Sequence, residues 1–380
     1  MVKALLKELL QSDKPSSEYV EVLESLVSSI KEGGGSAANE IMQLSSALGR
    51  HMAQVDPSFI SCIIFPEMSS AVRLPLKFPV ASAVFSQSTV FHIDPNIDGE
   101  FGLKIYPKGV GDSGTTKLPF GSGGLEVEMG FIYLFNQEYT QLSWGQPTRV
   151  SNGVDNISEY FESVRLVGFS ISCKYFGGFN EMAGFMSACI DYSNRDGSES
   201  TEMVDDGTYM QSAQVNKGIR VVWMPRDEGD LETFIDLSKD EYIYGDRSTS
   251  ILIYGTGLPT STGNKIRCEV TRHFEGLPKH GFKDYTDVKR ASPNAQAVNT
   301  VIQIHDKMPF LMFISPSDVS YAYRFLTNRL GQLPSILGGL VRSSNQIVDA
   351  RGNVIATFNN NGSMIDPEGA SNFYKYVMEF

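Results

Sequence analysis

The chain has 380 residues, 41% of them hydrophobic, enough for one large core with extensions or for two domains. Its 23 Phe, 16 Tyr, 35 Gly and 17 Pro suit a β-rich protein with many turns. A formal net charge of −12 argues against a simple nucleic-acid-binding protein, which carries a clustered basic stripe.

Residues 1–55 read as helical. Met1 to Leu10 lack the continuous apolar core and cleavage site of a signal peptide, and Leu5, Leu6, Leu9 and Leu10 make one apolar face. The sequons at Asn156 and Asn361 are therefore expected to stay unmodified. Ser16 and Ser17 can cap a second helix with Val22, Leu23 and Leu26 on its apolar side. Gly33, Gly34 and Gly35 interrupt the pattern, and Ile41, Leu44 and Leu48 resume it. No apolar run of about 18 residues occurs anywhere, so no membrane-spanning helix is expected.

From Asp56 the texture changes. Residues 59–66 and 71–75 read as extended, proline-punctuated segments. Strands are predicted over 80–93, 101–106, 125–135, 164–175, 182–192, 218–224, 250–254 and 265–273. No helical pattern alternates with them, which favours a β-sandwich or barrel over α/β. The glycine-rich stretch 109–124 and the acidic stretch 193–211 read as surface loops. Beyond residue 290 helical character returns. Ser315 to Asp318 predict a helix start with Pro316 first, Val319, Ala322, Phe325, Leu326 and Leu330 form an apolar stripe, and Pro334 should end or kink the helix. Asn359 to Gly362 read as a turn between two short extended pieces.

The chemistry-bearing residue types form no complete set. Gly111-Asp112-Ser113-Gly114 matches the nucleophile segment of chymotrypsin-like proteases, but neither upstream histidine, His51 or His92, has the context a triad needs. The stretch reads instead as a loop turn. No catalytic residue is predicted, and no enzyme. The five histidines show no zinc spacing, and Cys62, Cys173, Cys189 and Cys268 form no C-x-x-C pair, so they read as buried thiols. Asp94 with Asp98, and Asp227 with Asp230, flank turns. Paired loop carboxylates can hold Ca²⁺ through oxygen ligands, here as a structural ion at subunit interfaces, and the competing reading is solvated turn acids. No other cofactor is expected.

Several segments in order resemble the single jelly-roll coat proteins of nodavirus- and tombusvirus-like icosahedral viruses, a shell domain also carried by some algal single-stranded DNA viruses. They are FPVASAVF at 78–85 through FHIDP at 91–95, YFESVRLVGFSI at 160–171, the partner strand at 182–192, VVWMP at 221–225 and EGLP at 275–278. The resemblance spans about residues 60–285. It implies a mainly β fold, a single eight-stranded jelly-roll β-sandwich, with a helical N-terminal arm (1–55), a shell domain (56–285) and a C-terminal extension with an amphipathic helix (286–380). It also implies a structural capsid protein that self-assembles into an icosahedral shell of the T=3 kind and is located in virions assembled inside the host cell. The implied partners are further copies of the chain, a viral genome of RNA or single-stranded DNA, and a host receptor. Some relatives cleave themselves at an Asn-Ala bond, which here would be Asn294-Ala295. The chain departs from the family in its arm. Lys3, Lys7, Lys14, Lys31 and Arg50 are outnumbered there by Glu8, Asp13, Glu18, Glu21, Glu24, Glu32 and Glu40, so counterion-release binding cannot come from it. Lys307, Arg324, Arg329 and Arg342 outnumber Asp306 and Asp318 in the C-terminal region.

Two other classes compete. A lectin- or receptor-like β-sandwich would bind a ligand on an aromatic-lined site, but needs no long extensions at both ends. A β-rich hydrolase lacks its nucleophile–base–acid set.

Overall fold

A computed structural model describes residues 56–95, 98–109, 115–117, 126–128, 132–135, 144–147, 157–178, 183–192, 210–237, 249–259, 265–343 and 345–358. The expected helical arm, Gly111 to Gly114, residues 193–209 of the acidic stretch and the 359–362 turn lie outside the described residues.

In chain order the strands are β1 (Ala83–Ile93), β2 (Phe101–Ile105), β3 (Thr115–Lys117), β4 (Glu126–Glu128), β5 (Ile132–Phe135), β6 (Trp144–Pro147), β7 (Phe161–Phe176), β8 (Phe185–Asp191), β9 (Met210–Gln214), β10 (Ile219–Trp223), β11 (Ile235–Asp236), β12 (Ser250–Thr256), β13 (Lys265–Pro278), β14 (Val341–Ser343), β15 (Gln346–Val348) and β16 (Val354–Thr357). The first large sheet runs β1-β13-β7-β10, with β11 added to β7. The second runs β6-β5-β2-β12-β8-β9. Every pairing is antiparallel. The orders β1-β13-β7-β10 and β2-β12-β8-β9 are those of a jelly roll, in which the chain passes repeatedly from one sheet to the other. The sheets hold five and six strands, eleven rather than the eight expected, because β11 extends the first and the β5–β6 hairpin the second.

The core lies between the sheets and follows from register. Val221 pairs with Ile171 and Trp223 with Phe169, while Ile253 pairs with Leu103 and Ile251 with Ile105. All eight side chains are buried. Alternation is clean on β1, where Gln87, Thr89 and Ile93 point inward and Ser86, Ser88, Val90 and His92 point out. Residues 164–171 of β7 are instead buried without a break, because its outer face is covered too.

That cover contains the first correction. Residues 59–64, part of the 59–66 stretch expected to be extended, lie instead in helix α1 (Pro57–Ile64). The Asp56 carboxylate accepts from the Ser58 and Phe59 amides, and Pro57 occupies the first turn. The helix is buried nearly all round, so its sequence shows no amphipathic period. It lies on β7 at Gly168, where a Cβ would sit 2.5 Å from the Cys62 carbonyl oxygen. After the short helices α2 (Ile157–Tyr160) and α3 (Gly229–Glu232), the C-terminal residues supply α4 (Ala295–Lys307), α5 (Val319–Thr327) and α6 (Leu333–Gly338). α4 and α5 pack against α1, and α6 packs against α4. α5 starts at Val319, one residue after the expected cap Asp318. Pro334 opens α6 rather than ending a helix, since proline is tolerated in a first turn. The predicted strand 125–135 is two pieces, β4 and β5, and β9 enters the end of the acidic loop. β14, β15 and β16 form a separate small sheet.

Candidate functional site

Charged side chains in the jelly roll's apolar runs decide how the layers are joined. Arg165, Arg220 and Arg272 are all nearly inaccessible. Burying a guanidinium is costly unless its donors are satisfied, and among the described residues Arg220 Nη1 is left without a partner.

Arg165 on β7 sits directly across the ladder from Glu275 on β13. Its Nε and Nη2 donate to Glu275 Oε2 at 3.0 and 2.7 Å. The same oxygen accepts the Leu74 amide at 3.1 Å, and Oε1 accepts the Ser82 hydroxyl. One buried carboxylate thus fixes the segment that leads into β1. The Arg165 guanidinium lies 4.4 Å above the Phe234 ring.

Arg220 on β10 reaches the outer layer. Its Nε donates to Glu67 Oε1 at 2.5 Å and its Nη2 to the Ile64 carbonyl at 2.7 Å, at the end of α1. Burial pushes the Glu67 carboxyl up, but Arg220 outweighs it and holds the group below the usual range. His273 on β13 is the second fastening. Nε2 lies 2.7 Å from the Pro66 carbonyl and therefore donates, leaving Nδ1 to accept from the Ser86 hydroxyl at 2.8 Å. Burial lowers the His273 pKa, so the ring stays neutral. Arg272, by contrast, points into the sandwich, donating to the Gly109 carbonyl at 2.5 Å and to Gln87. Burial pulls its pKa down to about 9, which still leaves it charged at neutral pH.

A second cluster joins the sandwich to α4. Asp230 accepts from Lys108 Nζ at 3.1 Å and from Arg226 Nε at 3.2 Å. Burial raises the Asp230 pKa, and the two cations outweigh it and hold the carboxyl low. Arg226 also lies 4.6 Å over the Tyr192 ring, and the Tyr192 hydroxyl lies 3.0 Å from His305 Nε2 on α4. Burial pushes His305 down to about 4.

The sequence-predicted calcium residues fall in two places. Asp94 follows β1, and Asp98 stands in the turn before β2. Asp227 caps the Asp230 amide at 2.9 Å, and both Asp230 oxygens are engaged by cations and the Arg226 amide. Among the described residues no three His, Cys, Asp or Glu side chains converge as a metal group. All four cysteines are buried. Asn294 caps α4, its Oδ1 accepting the Ala297 amide at 3.0 Å. The ion pairs that fasten the layers were missed in the sequence. Their signal was there as lone charges inside apolar strands: VRLV around Arg165, IRVV at Arg220 and RHFEG at 272–276.

What this arrangement does is mechanical. The first sheet's outer face carries α1 and the C-terminal helices, fastened by ionic and hydrogen-bonded pins. The same topology occurs in solved virus particles. The coat subunit of the T13 particle of infectious bursal disease virus superposes with a TM-score of 0.55 at 10% identity, covering 75% of this chain and 98% of that one. The chain has the jelly-roll fold of a virus coat subunit. T=1 particles derived from the same virus match with a TM-score of 0.52 at 9% identity, covering 72% of this chain and 95% of that one. Its VP2 subviral particle matches with a TM-score of 0.52 at 9% identity, covering 70% and 98%. No family model and no curated protein matches the chain.

Proposed function

We propose that this chain is the structural capsid protein of an icosahedral virus, that it assembles with copies of itself into a closed shell, and that the shell encloses a viral genome of RNA or single-stranded DNA. One observation carries the reading: the likeness to the bursal disease virus particle takes in nearly the whole of that subunit and about three quarters of this chain, more than a jelly roll alone. The work of such a protein is assembly rather than catalysis, and the pinned layers suit it, because a shell subunit must hold its shape while its surfaces bind. Its place is the virion, assembled in the host cell.

Genome contact has a source other than the acidic arm. Residues 319–348 contain Arg324, Arg329 and Arg342 and no Asp or Glu, and Arg342 is paired with Asp306, which leaves Arg324 and Arg329 as the cations for that contact. A structural Ca²⁺ between copies belongs to this reading at Asp94 and Asp98, and a change of particle size on chelation tests it. The solved particles include T13 and T=1 forms, so the T=3 expectation is tested by measuring particle diameter. The function itself is tested by treating purified particles with nuclease and extracting them. Protected nucleic acid of uniform length supports genome enclosure. Particles that never yield any, from infected material, refute it.

A further inference from the structure

β1 is the outermost strand of the first sheet, and among the described residues only β13 pairs with it along its length. It spans 11 residues, and its ladder with β13 runs without a register shift. Its sequence, AVFSQSTVFHI, contains no Asp, Glu, Lys, Arg, Pro or Gly. Natural sheets blunt their edges with lysine, proline, a bulge or a very short strand. The other outermost strands are less than half as long as β1. β10 and β9 have five residues each, and β10 packs beside the turn Pro309–Phe313. β1 uses none of these devices.

Its outward side chains, Ser86, Ser88, Val90 and His92, are exposed, Val90 to 52%. They are short or uncharged, so a strand can approach closely. What fits such an edge is extended backbone, since the demand is a row of hydrogen-bonding groups. What fits its side chains is a strand that opposes no like charges. Each copy carries −12 overall, and β1 is a stretch where two copies can meet without repulsion. Paired antiparallel over its full length with another β1, Ser88 of one copy faces Ser88 of the other, and Ser86 faces Val90. Both contacts are self-complementary about a two-fold axis.

We propose that the edge of β1 away from β13 is a self-association edge, which pairs antiparallel with β1 of a second copy and joins two first sheets into one across a two-fold axis. The proposal rests on the reading that the chain assembles with itself, and its test separates the two. The Ser88→Lys/Val90→Lys variant places lysines opposite each other at the dyad. It should associate at least about tenfold more weakly by sedimentation, with a melting temperature unchanged at dilutions where both forms are monomeric, because both positions are exposed. Ser88→Cys should give a covalent dimer on mild oxidation with diamide, since the native thiols are buried. Closed shells from the double-lysine variant, with no cross-link from Ser88→Cys, overturn the edge pairing and leave the shell reading standing. Cross-linked dimers that never close into shells support the pairing and count against the shell. Monomers of the wild type under every condition overturn both.

Discussion

His305 is the group through which acid should loosen the C-terminal layer. It lies on α4 with Nε2 3.0 Å from the Tyr192 hydroxyl, and Asp306, Arg226, Asp230 and Arg342 are the charges around it. Burial is the largest influence and takes its pKa from 6.5 to about 4. Between those values the unfolded chain binds a proton that the folded chain refuses, so stability is full above about pH 6.5 and falls as pH drops towards 4. At pH 5 the unfolded imidazole is protonated roughly 30 to 1 and the folded one roughly 1 to 10, a difference of about 2 kcal/mol. Glu67 and Asp230, both held below their usual range, lose stability in the same direction, but they do so with or without His305. The informative quantity is therefore the difference between wild type and His305→Gln, each unfolded in urea at pH 7.5 and pH 5.0 at high dilution, with tryptophan fluorescence as the readout. Wild type should lose about 2 kcal/mol more than the variant across that interval. Parallel losses would show that His305 does not titrate between its folded and unfolded environments, and the reasoning would fail.

Glu275→Ala strands a buried guanidinium and should cost about 3–5 kcal/mol, whereas the apolar pair Arg165→Met/Glu275→Leu should recover only part of it, because the buried Leu74 amide and Ser82 hydroxyl still lose their acceptor, as urea midpoints of both variants will read. Gly168→Ala puts a methyl 2.5 Å from the Cys62 carbonyl oxygen, so α1 must shift. A loss of about 1–3 kcal/mol and faster proteolysis near residue 60 are expected, and wild-type proteolysis would contradict the close approach. Burial raises the Cys62 thiol to about 12 and Cys268 well above its ordinary value. Neither should react with a disulfide reagent at pH 8 until denaturant is added, and prompt native-state labelling at either position would count against their burial.

The strands were readable because half-buried β-structure writes itself as alternation, as β1 shows with Ser86, Ser88, Val90 and His92 outward. Failure came where that contrast vanishes. FISCIIF is apolar but for Ser61 because α1 is enclosed, and nothing in it separates helix from strand. MQSAQ in β9 is too polar to stand out from the acidic loop before it. The EGLP closure was read as a resemblance, and the structure supplies its physical content. Glu275 anchors Arg165, Leu74 and Ser82. Arg165 and Glu275 lie 110 positions apart, so no local pattern could pair them. His305 was legible only as one of five histidines without metal spacing, because its partner Tyr192 comes from another element.

A coat protein of this kind must build a shell from copies of itself. Electron microscopy of the chain expressed alone, with the ultraviolet absorbance ratio taken on the same fraction, tests it most directly. The account predicts closed particles of uniform diameter. Small soluble species alone, across salt, pH, calcium and added nucleic acid, would contradict it.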